Sequence, residues 1–116
     1  MKKVYHLSTC NTCQRILKEM GPPADLVQQD IKTESITESQ LEEMKELAGS
    51  YEALFSRKAR KFRALGLHEV SLSEEDYKKH ILEEYTFLKR PVFLIDGNIF
   101  IGNSKKTVEA AKEAIG

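Results

Sequence analysis

The sequence predicts an α/β fold with a mixed sheet (α+β by that mixture), in the order β-α-β, a helical block, then β-β-α. Three observations predict it. The apolar run Val4-Tyr5-His6-Leu7 gives way at once to Ile16, Leu17 and Met20 at helical spacing, so the period changes from strand to helix. Near the C-terminus two apolar runs flank Asp96-Gly97, a strong hairpin signal. Between these ends, about residues 37–85, capping boxes open amphipathic helical patterns.

Each element has its own cause. Residues 3–7 read as a strand and 11–20 as a helix, which Gly21-Pro22-Pro23 stops. Leu26 to Ile31 reads as a second strand, polar for a central one because of Gln28-Gln29-Asp30. Thr37-Glu38-Ser39-Gln40 is a capping box, followed by Leu41, Met44, Leu47 and Ala48 on one face, and Gly49 ends that helix. Tyr51 to Leu65 reads as an interrupted, very basic helix. Ser73-Glu74-Glu75-Asp76 caps another, with Tyr77, Ile81 and Leu82 inward. Val92-Phe93-Leu94-Ile95 is a buried strand and Ile99-Phe100-Ile101 its hairpin partner. Asn103 or Ser104 caps a last helix with Val108, Ala111 and Ile115 inward. Tyr5, Tyr51, Tyr77, Tyr85 and Phe87 are most simply core or core-edge residues. This order is the skeleton of a thioredoxin-like domain, with helices 37–85 as an insertion between the second and third strands. Residues 1–116 make one domain in expectation, long enough to bury a real core.

Composition excludes several function classes. Lys+Arg and Asp+Glu number 18 each, so the formal net charge is zero, which argues against a general nucleic-acid or membrane-surface binder. The cations of Arg57-Lys58-Ala59-Arg60-Lys61-Phe62-Arg63 then read as a largely solvated helix face, with no direct nucleic-acid contact expected. No long apolar segment follows Met1-Lys2-Lys3, so neither a signal peptide nor a transmembrane helix is expected. A cytoplasmic location follows as an expectation, and there a cysteine pair is more often catalytic or redox-sensing than a staple.

That pair is Cys10-Asn11-Thr12-Cys13, between the first strand and the first helix. Unpaired helical N–H groups would converge on one sulfur, lowering its pKa, and the other sits one turn along, near enough to close a short disulfide. This is the arrangement of a thiol–disulfide redox site. Zinc needs about four ligands, and the only other candidates, His6, His68 and His80, lack paired spacing. A structural disulfide or two buried, inert thiols remain as alternatives. No motif for a bound metal, nucleotide or flavin is present.

Three segments together resemble the arsenate reductase-like family: His6 to Arg15 around the cysteine pair, the basic stretch Phe55 to Phe62 leading to Leu65-Gly66-Leu67, and Leu88-Lys89-Arg90-Pro91-Val92. That family includes glutaredoxin-dependent arsenate reductases and the Spx-type regulators of bacterial RNA polymerase. The resemblance implies that Cys10 is the nucleophile, that Arg90 lies against its sulfur, and that Pro91 is a cis-proline facing it. His6 falls where arsenate reductases carry a histidine, as a possible modulator of the thiol pKa or simply a buried strand residue. Arg57 is the basic-stretch side chain expected to turn toward Cys10. A third oxyanion-binding arginine of the family falls at Gly102 here, a departure. Cys13 is another, since single-cysteine reductases often lack it.

Applied to arsenate, the N–H groups at Asn11 and Thr12 with Arg90 and Arg57 would bind the oxyanion, Cys10 would attack, and Cys13 would resolve the adduct. Glutathione with glutaredoxin, or thioredoxin, would be the electron donor, and no cofactor would be held. The alternative is a redox switch whose output is contact with the C-terminal domain of the RNA polymerase α subunit. Gly49-Ser50 falls near a glycine such regulators use. The sequence stops at Gly116, short of their further tail, which favours the enzyme.

Overall fold

The computed structural model describes residues 2–116. The chain divides into two compact units, one made of residues up to Ser35 together with Arg90–Gly116, the other of Ile36–Lys89.

The first unit is a four-stranded mixed sheet with two helices. Strands β1 (Lys2–His6), β2 (Val27–Asp30), β3 (Val92–Ile95) and β4 (Asn98–Ile101) lie in the order β2-β1-β3-β4. β1 pairs in parallel with β2, with His6 opposite Asp30, and antiparallel with β3, with Tyr5 opposite Val92. Helix α1 (Asn11–Met20) connects β1 to β2, and α5 (Lys105–Ile115) follows β4. Val4, Phe93 and Ile95 on one sheet face pack with Ile16 and Leu17 of α1, Leu26, and Val108 and Ala111 of α5. Burying each larger side chain contributes about 1.5–3 kcal/mol relative to leaving it exposed. Tyr5, Val92 and Leu94 alternate with that set and are buried too, which is why β1 and β3 read as continuous apolar runs.

Position in the sheet explains the polar second strand. β2 is an edge, and Val27 is 51% exposed. The strand is shorter than Leu26 to Ile31, since the Leu26 N–H turns back to the Pro23 carbonyl. The hairpin turn has φ of 48° at Asp96 and 87° at Gly97, the left-handed pair that a two-residue turn of this twist needs. Ser104, not Asn103, caps α5, accepting the Thr107 N–H.

The second unit holds α2 (Glu38–Ala48), α3 (Arg60–Ala64) and α4 (Glu74–Glu83). Reciprocal bonds close the capping box of α2 between Thr37 and Gln40, and that of α4 between Ser73 and Asp76. Leu41 and Met44 are buried, whereas Leu47, expected inward, is 42% exposed. Gly49 closes α2 at φ 96°, its N–H on the Lys45 carbonyl.

Residues 51–65 depart from the expected single interrupted helix. They form a 3-10 turn at Glu52–Leu54, an extended Phe55, and the short α3, none of whose residues is fully buried. Phe55 pairs antiparallel with Leu88, flanked by bonds from Ser56 N–H to the Phe87 carbonyl and from Lys89 N–H to the Leu54 carbonyl. Its buried ring lies 4.9 Å from that of Tyr77 and 5.0 Å from that of Phe87. These non-local contacts outbid helix propensity, and like-charged neighbours at i, i+3 and i+4 weaken a long helix further. The Glu74 carboxylate accepts both the Tyr51 and the Glu52 N–H, capping the 3-10 turn from α4.

Thr37→Ala should cost about 1 kcal/mol, the usual effect of losing a cap. Phe55→Ala should cost roughly 3–5 kcal/mol. Chemical denaturation of both variants checks the order, and equal losses would contradict the packing account of residues 51–65.

Candidate functional site

The site grows from the turn between β1 and α1. Cys10 is the N-cap of α1 at φ −94°, ψ 110°, so its side chain stands at the end where N–H groups lack intrahelical partners. Its own N–H bonds the Leu7 carbonyl at 3.0 Å, and its carbonyl accepts the Gln14 N–H at 3.1 Å. Asn11 and Thr12 form the first turn with Cys13, which holds no acidic residue, so nothing there opposes an anion. Asn11 is exposed, Thr12 and Cys10 half-buried, and Cys13 fully buried.

The two thiols sit in opposite environments. Partial burial works against a Cys10 thiolate, but the Cys13 N–H and thiol and the Arg90 guanidinium outweigh it, and the pKa falls below the ordinary thiol value. No side-chain oxygen caps the helix there, which leaves the Cys13 N–H facing the Cys10 sulfur. Burial pushes the Cys13 thiol up to about 11, with the neighbouring Cys10 adding to the rise and the Leu7 N–H opposing it. Both cysteines are free thiols. The arrangement sets a thiol of lowered pKa beside a thiol of raised pKa and a guanidinium.

Arg90 enters from the second sequence segment of the unit, two residues before β3 and beside the end of β1. The Arg90–Pro91 peptide is cis, and the buried Pro91 accepts the Gly102 N–H at 2.9 Å. Gly102 itself has φ 93°, a backbone conformation an arginine would adopt only with strain.

His6 is buried, 9% exposed, and desolvation lowers its pKa despite the raising effect of Asp30. Its ring is therefore neutral near neutral pH. The Gln14 amide nitrogen lies 3.3 Å from His6 Nδ1 and 3.1 Å from the Leu7 carbonyl. Asp30 accepts the Ser8 N–H at 3.1 Å and the Lys32 N–H at 3.2 Å. Hydrogen bonds from Ser8, side chain first, hold its pKa down near 2.

Of the residues singled out by sequence, Cys10, Asn11, Thr12, Cys13, His6, Arg90 and Pro91 belong to the first unit. The structure places the Cys10 sulfur against both the Cys13 thiol and the Arg90 guanidinium. Arg57 belongs to the second unit, where its guanidinium donates to Glu52 at 2.8 Å and to the Tyr77 hydroxyl at 2.8 Å. Gln14, Ser8 and Asp30 were missed. The parallel register that sets His6 beside Asp30 has no local sequence signal. Among the described residues no three His, Cys, Asp or Glu side chains converge as metal ligands, and no helix is long and apolar enough to cross a membrane.

A model of the ArsC family matches residues 5–111. Among solved structures, the YFFB protein superposes with a TM-score of 0.78 at 20% identity over 100% of both chains. Arsenate reductase from Vibrio cholerae gives 0.75 at 17% identity, covering 97% of this chain and 96% of that one. An arsenate reductase-related protein from Brucella melitensis gives 0.71 at 23% identity, over 94% and 92%. Identities this low show a shared fold. No curated protein matches the chain.

Two pH experiments follow. Alkylation followed by mass spectrometry should find Cys10 reacting with a midpoint below that of an ordinary thiol and Cys13 only near pH 11. Arg90→Met should move the Cys10 midpoint upward, and an unmoved midpoint would remove Arg90 from the site. The folded-state pKa of Asp30 is depressed, so its contribution is present above its unfolded value of about 3.9 and lost as pH falls toward about 2. Asp30→Asn should therefore destabilise at neutral pH and converge with the unmodified protein in acid unfolding.

Proposed function

The chain belongs to the ArsC family, and from that premise we propose that it is a thiol-dependent oxidoreductase in which Cys10 is the nucleophile and Cys13 the resolving thiol. The observation that carries this reading is the placement of two adjacent thiols in opposed environments, one half-buried at the helix N-terminus beside Arg90, which lowers its pKa, the other fully buried, which raises it. A nucleophile must be ionised before substrate arrives, whereas a resolving thiol is best held in reserve until an intermediate forms.

With a disulfide substrate, the Cys10 thiolate attacks one sulfur, a mixed disulfide forms, and the other half leaves as a thiolate. Cys13 then gives up its proton, its sulfur attacks Cys10, and the second half leaves as a thiolate. The product is a Cys10–Cys13 disulfide and two reduced thiols, and an external dithiol returns the pair to its starting state. Thioredoxin would serve as that dithiol, or two glutathione molecules with glutaredoxin would supply the same two electrons and leave as glutathione disulfide.

With arsenate, Cys10 displaces one oxygen as hydroxide, which leaves as water once protonated, and forms a thiol–arsenic(V) bond. Attack of Cys13 on the Cys10 sulfur transfers the bonding pair to arsenic, releasing arsenite(III) and the same disulfide. The N–H groups of the first turn of α1 and the planar donors of Arg90 suit an oxyanion. Against it stand Gly102 at the third arginine position, where the backbone is left-handed, and an Arg57 already engaged by Glu52 and Tyr77. Each missing charge-assisted bond forfeits roughly 1.5–3 kcal/mol. A disulfide therefore fits this chain better than arsenate.

Turnover of a small-molecule disulfide that contains no glutathione, and of arsenate, each with glutathione–glutaredoxin and with thioredoxin, should favour the disulfide. Cys10→Ser should abolish activity, and Cys13→Ser should accumulate a mixed disulfide on Cys10, visible as a mass increase. No turnover with any combination would overturn the enzyme reading and leave the pair as a switch, to be tested by binding of the reduced and oxidised protein to the RNA polymerase α subunit.

A further inference from the structure

The side chain of Gln14 reaches from α1 back onto the end of β1, and its two hydrogen bonds decide a protonation state. A carbonyl oxygen only accepts, so the amide must turn its NH2 toward Leu7, since the flipped amide would set oxygen against oxygen. The same NH2 then faces His6 Nδ1, which must accept. A neutral imidazole has one proton, so it sits on Nε2. An imidazolium would present N–H to N–H, so Gln14 disfavours the charged ring, as burial does. Asp30 on β2 is the charged group acting in the opposite sense.

The backbone that Gln14 holds controls both sulfurs. The Leu7 carbonyl takes the Cys10 N–H at 3.0 Å as well as the Gln14 amide at 3.1 Å. The N–H of Leu7 points at the Cys13 sulfur. The carbonyl on the other side of that peptide, His6, is held by the Ile31 N–H at 2.9 Å.

We propose that Gln14 is a positioning residue of the thiol site, holding His6 as the neutral Nε2–H ring and pinning Leu7 so that its N–H stays on the Cys13 sulfur. The proposal rests on the thiol-exchange reading above. Its consequence lies in the second chemical step, when Cys13 loses its proton and its sulfur attacks the mixed disulfide on Cys10, expelling the bound thiolate. The Leu7 N–H then stabilises the charge forming on Cys13. Gln14 itself is exposed, so removing its amide leaves the core intact.

Gln14→Met keeps length and helix propensity and removes both donors. An aromatic disulfide that liberates a coloured thiolate separates the steps, since attack by Cys10 releases one equivalent and closure by Cys13 a second. The second release should slow roughly three- to tenfold in Gln14→Met, the usual worth of one neutral hydrogen bond, with the first changed less. Nitrogen-15 spectra of the His6 ring should show Nε2–H in the unmodified protein, a tautomer mixture in Gln14→Met, and Nδ1–H with a raised pKa in Gln14→Glu. An Nδ1–H ring in the unmodified protein would overturn the proposal, as would a Gln14→Met variant with unmodified ring signals and unmodified second release. Should Gln14→Met fail to fold, the unmodified and Gln14→Glu spectra decide. Absence of any second release from the unmodified protein would overturn the resolving role of Cys13 instead, and the ring spectra alone would then decide whether Gln14 positions His6.

Discussion

The local chemistry depends on one backbone constraint, the attachment of the β1–α1 turn to Leu7. The carbonyl of this residue receives the Cys10 N–H, which fixes the cap of α1 and hence the direction of the nucleophilic sulfur. Its N–H faces the Cys13 sulfur. Leu7 is 5% exposed and stands directly after a strand held on both sides by β2 and β3. Two thiols three residues apart thus inherit the rigidity of a sheet, although the pair itself lies on a turn and the first turn of a helix. Rigid elements beneath a reactive turn are the usual means of holding such geometry.

Chemical asymmetry follows from the same placement. Cys10 is half-buried at the helix end, where N–H groups and the Arg90 cation favour charge. Cys13, one turn on, points into the interior, where charge is costly. Two identical side chains acquire different roles from a rotation along one helix. Arg90 reaches Cys10 because β3 lies directly beside β1, so a residue two places before β3 is brought to the end of the sheet where β1 stops.

The second unit follows a different logic. Its organising residue is Phe55, whose ring and backbone tie the segment after α2 to Tyr77, Phe87 and Leu88. Charged side chains then serve structural ends: Glu74 caps the neighbouring 3-10 turn, Lys78 joins α4 to Glu38 and Glu42 of α2, and Arg57 holds Glu52 and Tyr77. In α3 the charged residues Arg60, Lys61 and Arg63 are exposed, while Phe62 turns its half-buried ring toward Phe55, 6.0 Å away.

The sequence by itself determined the order of elements, the capping boxes, the hairpin turn and the place of the cysteine pair. Each of these rests on contacts within a few residues, where period, cap and turn chemistry leave a readable pattern. The family resemblance carried by the Arg90-Pro91 segment added a residue 80 positions from Cys10, which no local pattern could have joined to it. Tertiary structure alone decided the rest. Strand order made β2 an edge and set His6 against Asp30. A backbone pairing between Phe55 and Leu88 replaced the expected helix of residues 51–65. The partners of Arg57, and the reach of Gln14 onto Leu7 and His6, depend on which surfaces meet after folding. Such meetings are set by the register of strands and the packing of helices, and a single sequence records them only through the fold they produce.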